Sequence, residues 1–201
     1  MRGRRALPLL ALPLLALGYA LPAAAQSLVV ASPDGRNRIS LTLDAQGQPL
    51  WSVDRDGRRL IDPSPLGLVL DDGPLTANLA VTASQVSSGE DRYPIVAGKA
   101  ASAADRYRAL RVELTQKSGG NRALTVELRA YDDGVAFRTI LPVQPQIAVS
   151  VVREERTEFR VAADSHCWGF NIGSFGKSHE GEYEPVDPAK ARPHNLFDLP
   201  M

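Results

Sequence analysis

The sequence predicts an all-β protein, a large and mainly antiparallel β-sandwich. Three observations carry that expectation. Apolar residues alternate with polar ones along short runs, turn-forming residues separate the runs, and no segment sustains an apolar stripe of period 3.6.

The runs follow one another along the chain. Ile39, Leu41 and Leu43 alternate with Ser40 and Thr42, and Trp51 and Val53 flank Ser52. Leu110, Val112 and Leu114 alternate with Arg111, Glu113 and Thr115. Leu124, Val126, Leu128 and Ala130 do so with Thr125, Glu127 and Arg129, and Phe159 and Val161 flank Arg160. Period two puts one face of each run in a core and the other in water. Asp34-Gly35, Asp56-Gly57, Asp72-Gly73, Gly119-Gly120-Asn121 and Asp133-Gly134 punctuate the pattern. Asp-Gly tolerates the positive φ of tight hairpins, so several of these predict short reversals. Glu90 to Ala104 is polar and rich in Ala, Ser and Gly, and reads as a long loop.

Residues 1–25 read as a signal peptide and stand outside the fold. Arg2, Arg4 and Arg5 precede an apolar stretch from Ala6 to Leu21, and Ala23-Ala24-Ala25 offers a cleavage site before Gln26. The stretch holds Pro8 and Pro13 and falls short of the roughly 20 residues of a bilayer span. Export to the periplasm or the medium is the expectation, with no membrane association after cleavage. Removing 25 of 201 residues leaves 176, enough for one sizeable core. The balance of 23 basic and 23 acidic groups becomes 20 against 23 without the three arginines. No basic stripe remains, which argues against nucleic acid as a partner. Cys167 is the only cysteine, so no disulfide closes within the chain. It reads as a small packing residue beside Trp168.

The sandwich body is expected over 26–164, followed by an irregular tail over 165–201. The tail holds Gly169, Gly173, Gly176 and Gly181, then Pro185, Pro188 and Pro193, and ends on Leu196, Phe197, Leu199 and Met201. A long irregular stretch is uncommon inside a compact domain. An apolar ending needs cover, so the chain is expected to continue onto a further domain.

The run Arg129-Ala-Tyr-Asp-Asp-Gly-Val-Ala-Phe-Arg138 points to a family. Together with Ser32-Pro-Asp-Gly35, Pro63 to Leu70 and Tyr107 to Leu114, it resembles the N-terminal domain of glycoside hydrolase family 97. The resemblance implies a galactose-mutarotase-like super-sandwich, an exported bacterial α-glucosidase or α-galactosidase as parent, and an α-linked oligosaccharide as that parent's substrate. It also implies that catalysis belongs to a (β/α)8 barrel C-terminal to this domain. No catalytic residue is therefore assigned here, and the chain alone is expected to be inactive.

The resemblance further implies a calcium ion near the substrate, to which this domain lends one glutamate. The matching segment is His179-Glu-Gly-Glu-Tyr-Glu184, with Glu180 as the ligand and Glu182 in reserve. Read without the family, Glu180, Glu182 and Glu184 at i, i+2 and i+4 share one side of an extended segment. Concentrated carboxylates suit a hard cation of six to eight oxygens, but also suit a solvated edge. Trp168 and His179 are candidates for sugar contact. The bland readings are domain packing for Trp168, Phe170 and Phe175, and a surface polar residue for His179. His166, His179 and His194 lack zinc-ligand spacing. Asp132 and Asp133 sit in a predicted hairpin turn, where Asp caps its own backbone. Two other functions remain open, a stand-alone carbohydrate-binding module and a mutarotase-like enzyme. The second ranks last, because all three histidines fall in the tail.

Overall fold

The computed structural model describes residues 28–147, 149, 151–163, 165–190 and 195–198. The expected signal peptide, His194, Leu199 and Met201 lie outside the described residues. The first strands are β1 (Leu28–Ala31), β2 (Asn37–Leu43), β3 (Pro49–Arg55), β4 (Arg58–Pro65), β5 (Leu68–Leu70) and β6 (Gly73–Leu75). Two long strands follow, β7 (Leu79–Pro94) and β8 (Ser102–Gln116), then β9 (Ala123–Tyr131) and β10 (Val135–Ile140). The last are β11 (Val152–Glu155), β12 (Arg160–Val161), β13 (Cys167–Gly169) and β14 (Glu184–Val186). The only helical turn among the described residues is a 3-10 segment, Pro188–Lys190. No helix among them is long and apolar enough to cross a membrane.

The architecture is an all-β antiparallel sandwich. One sheet runs β1-β2-β3-β4-β12 and the other β10-β9-β8-β7, while β11-β5-β6 forms a small third sheet. Register explains the core. Leu110, Val112 and Leu114 on β8 sit opposite Leu128, Val126 and Leu124 on β9, and all six are buried. Across the sandwich, Val30 pairs with Ile39, Ile39 with Val53, and Leu41 with Trp51. Burial of each such side chain contributes about 1.5–3 kcal/mol, which makes these two faces the main cohesive element. Trp51 satisfies its indole N–H on the Glu158 carbonyl at 3.0 Å, so a polar atom enters the core without penalty.

Turns and end knots fix the register. Asp56 (φ 51°) and Gly57 (φ 80°) join β3 to β4 in a two-residue reversal with both φ values positive, the geometry that Asp-Gly favours. At one end of the sandwich, buried Asn37 donates to the carbonyls of Tyr131 (2.8 Å) and Asp132 (3.1 Å) and accepts from Arg55 (2.8 Å). Elsewhere, buried Arg122 donates to Gln116 Oε1, Asp72 Oδ1 and the Pro74 carbonyl at 2.9, 2.8 and 3.0 Å. It holds the β8–β9 connection to the third sheet.

Two expectations need correction. Glu90 to Ala104 is not a long loop. β7 runs to Pro94, β8 starts at Ser102, and only 95–101 connect them. This ribbon projects beyond the core, so both of its faces are wet and the hydrophobic alternation that marks a strand disappears. Tyr107 lies against Gly89, its register partner, and Arg129 covers the ring at 4.1 Å. Asp132 does not cap its own turn either. Its carboxylate accepts from the Asp34 N–H (2.8 Å) and from Arg106 (2.6 Å), bridging distant segments. Asp34 is the self-capping residue, accepting from Ser32 Oγ and the Arg36 N–H. Those two hydrogen bonds, the hydroxyl's first, hold its carboxyl below the ordinary value.

The contrast between core and ribbon is measurable by urea denaturation. Leu128→Ala is expected to cost about 2–5 kcal/mol by leaving a cavity between the sheets. Val86→Ala, on the ribbon and 66% exposed, is expected to cost less than about 0.5 kcal/mol.

Candidate functional site

The segment after 164 carries every predicted site residue, and close aromatic–glycine packing shapes it. β13 and β14 pair antiparallel, with Gly169 opposite Glu184 and Trp168 opposite Pro185. The chain returns through 195–198 to lie beside 170–172. Asn171 bridges to Phe197, the Ile172 N–H donates to the Leu196 carbonyl (2.9 Å), and the Asp198 N–H donates to the Phe170 carbonyl (2.8 Å). A Cβ on Gly169 would sit 2.8 Å from the Phe197 ring, and one on Gly181 would sit 2.3 Å from the Phe170 ring. Both glycines are needed where an aromatic ring lies on the backbone. Phe170 also packs against Tyr183, with ring centroids 6.2 Å apart. Two of the four glycines that make this segment look irregular in sequence, Gly169 and Gly181, are the seats of its own small core.

The acidic stretch is held on this module. The Glu180 N–H donates to Ser178 Oγ at 3.1 Å, and that hydroxyl lies 3.4 Å from the Glu180 carboxylate. His179 Nδ1 meets Asp198 Oδ2 at 2.7 Å, and the imidazole is exposed. Glu182 and Glu184 line a shallow hollow of about 330 Å3 with Phe170, Asn171 and Phe197. Glu180 does not line that hollow. Among the described residues, no three acidic, histidine or cysteine side chains come together as a metal-holding group. A calcium ion takes six to eight oxygens, more than these side chains gather in one place.

The other candidates separate. Trp168 is 57% exposed and edges a second hollow of about 710 Å3 with His166, Cys167 and Asp187. Phe170 is taken up by packing inside the module, whereas Phe175 stands in solvent. Leu196 and Phe197 are half-buried, covered by the chain's own tail module.

The run from Arg129 to Arg138 is explained by packing. Arg129 and Arg138 each donate to Glu127 at 3.0 Å. Partial burial pushes the Glu127 carboxyl up, but those two guanidinium groups outweigh it and hold the carboxyl below its ordinary value. Tyr131 packs on Tyr107 (5.6 Å), and Phe137 packs on Trp51 (4.6 Å). Sequence reading missed Arg122 and Asn37 as anchors. Both look like surface residues in a linear pattern, and only burial reveals them.

Comparison with known families decides the assignment. The family described as glycosyl-hydrolase 97 N-terminal matches residues 30–201. The chain belongs to that family. Among solved structures, it is similar to a glycoside hydrolase family 97 enzyme from Pseudoalteromonas sp. strain K8 in complex with panose. The identity is 23% and the TM-score 0.70, over 80% of this chain and 24% of that one. The acarbose complex of an enzyme of that family from the same strain gives 23% and 0.71 with the same coverage. A β-arabinopyranosidase is 29% identical with a TM-score of 0.68, over 81% of this chain and 26% of that one. This GH97 N-terminal chain thus spans about a quarter of the length of the enzymes it matches. No curated protein matches it.

The glycine seats give a local test. Gly181→Ala is expected to displace the Phe170 ring and speed amide exchange across 182–186, read by hydrogen–deuterium exchange. Gly176→Ala, where an added Cβ meets nothing within 4 Å, is expected to leave those amides unchanged.

Proposed function

We propose that this chain is the non-catalytic N-terminal domain of an exported α-glycosidase. It braces a C-terminal catalytic barrel and lends Glu180 to a calcium ion beside the substrate pocket, with Glu182 as the alternative ligand. The observation that carries the reading is the family match across 30–201 on a sandwich whose Arg129–Arg138 run serves packing. Glycoside hydrolysis requires two carboxyl groups facing each other across the scissile bond, and the barrel would supply them. α-Glucosides or α-galactosides are the substrates in this reading, and panose and acarbose in the solved relatives support an α-linked oligosaccharide. The similarity to a β-arabinopyranosidase supports a wider range of parent specificities as the alternative. Calcium, when bound, would orient and polarise substrate oxygens. This chain's part is to hold one carboxylate in place through Ser178 and the packed aromatic module.

A second reading, a self-sufficient carbohydrate-binding module, draws on the exposed indole of Trp168 beside its hollow. Two measurements separate the readings. The purified chain is expected to release no aglycone from aryl α-glucosides and to give no calorimetric signal with maltotriose. Turnover would sink the division of labour, and maltotriose binding abolished by Trp168→Ala would favour the module. In the whole enzyme, Glu180→Gln is expected to weaken calcium binding by about 10-fold or more, while Glu182→Gln leaves it unchanged. The reverse pattern would move the ligand to Glu182.

A further inference from the structure

Of the strands that end a sheet among the described residues, β7 is by far the longest. It spans 16 residues, against six for β10 and four or fewer for the others. One row of its backbone N–H and C=O groups lacks a ladder partner, and such a row is a template for another strand. Folded proteins protect exposed edges with bulges, charges or proline. β7 has all three, but only towards its ends. Its register slips between Val81 and Ala83, while Glu90-Asp91-Arg92 and Pro94 occupy the far end. From Ala83 to Gly89 the edge reads Ala-Ser-Gln-Val-Ser-Ser-Gly, with no charge, no proline and no break in its pairing with β8. Thr82 to Ser88 are all exposed. This stretch lies beside the four-stranded part of the sheet. Val86 pairs with Leu110, Leu110 with Leu128, and Leu128 with Phe137. Directly opposed residues share a face, so Val86 continues a core row. Leu110 and Leu128 are buried, yet Val86 is 66% exposed. The apolar row ends in solvent.

We infer that β7 pairs antiparallel with β7 of a second copy of this chain, about a two-fold axis at Val86. The edge is self-complementary in that register. Val86 meets Val86, Gln85 meets Ser87, Ser84 meets Ser88 and Ala83 meets Gly89. The apolar row then runs unbroken through the axis, Leu110 to Val86 to Val86 to Leu110. Glu90, Asp91 and Arg92 of each copy fall opposite the bulge or beyond it, so no like charges oppose each other inside the ladder. A slip that keeps the faces matched sets Val86 against Ser84 or Ser88 and loses the apolar contact. The pairing is isologous, so it closes at two copies and consumes the edge instead of propagating it. A ladder this short belongs with small, reversible interfaces. No sugar, metal or further domain enters the contact, which stands apart from the functional reading above.

Sedimentation velocity and disulfide trapping on the purified chain test it. The chain is expected to be a monomer at about 1 micromolar and to populate a dimer at about 100 micromolar. Val86→Lys sits at an exposed position, so the thermal midpoint of the monomer is expected to hold. The dimer dissociation constant is expected to rise about 10-fold or more, because two lysines then oppose each other at the axis. In a Cys167→Ser background, Val86→Cys is expected to give a covalent dimer on mild oxidation about 10-fold faster than Ser84→Cys, since only directly opposed residues bring their Cβ atoms within disulfide reach. A chain that remains monomeric at about 100 micromolar overturns the inference and leaves the edge to another polypeptide. A dimer unaffected by Val86→Lys, or trapping that is equal or faster at position 84, overturns it in favour of a different contact.

Discussion

Everything in this structure depends on two apolar ladders pressed face to face. Leu110, Val112 and Leu114 meet Leu128, Val126 and Leu124 in register, and Val30, Ile39 and Leu41 close over them. The polar anchors work only because that contact exists. Asn37 reaches across to the Tyr131–Asp132 carbonyls once the sheets are stacked, and Arg122 finds its carbonyl and carboxylate partners at a rim the ladders have built. A buried polar side chain is costly unless fully partnered, and no buried side-chain N or O atom among the described residues lacks a partner. Cohesion therefore comes from burial, and uniqueness of register comes from the polar anchors at the ends.

This division clarifies what the domain contributes in the proposed reading. The run on which the resemblance was read, Arg129 to Arg138, forms a clamp around Glu127 and a turn tied to Asp34, with Phe137 feeding the core. Its chemistry is that of a rigid platform. The functional candidates cluster instead on the tail, where Gly169 and Gly181 let Phe197 and Phe170 lie against backbone and hold the His179–Glu184 stretch. In the proposed reading, a carboxylate offered from a packed module is better oriented than one on a free loop, which is the condition for contributing to a site built by another domain.

Much of the fold was legible in the sequence because the core strands are wet on one face only. Leu124 to Ala130 shows its period plainly, and Asp56-Gly57 announces its turn. The β7–β8 ribbon was not legible, since a ladder exposed on both faces imposes no hydrophobic alternation and Glu90 to Ala104 then resembles a loop. Asp132 was misread for a related reason: turn chemistry is local, while its partners Asp34 and Arg106 are remote in sequence. In the tail, Gly169 and Gly181, read as looseness, were close-contact positions, and no linear pattern reports which ring will cover a glycine. The acidic triplet was legible as composition only. Its division, with Glu182 and Glu184 on one hollow and Glu180 held beside Ser178, follows from the path of the backbone.

The account stands on the sandwich body being the stable unit and the tail being a module packed by its own aromatic contacts. Native-state hydrogen exchange resolved by residue in increasing denaturant measures this most directly. The slowest amides should be those of Leu110–Leu114 and Leu124–Leu128, opening only with global unfolding. The amides of 167–172 and 184–186 should open together in a separate step of lower free energy. A tail that exchanges with the same free energy as the β8–β9 ladder, or a ladder that opens first, would contradict it.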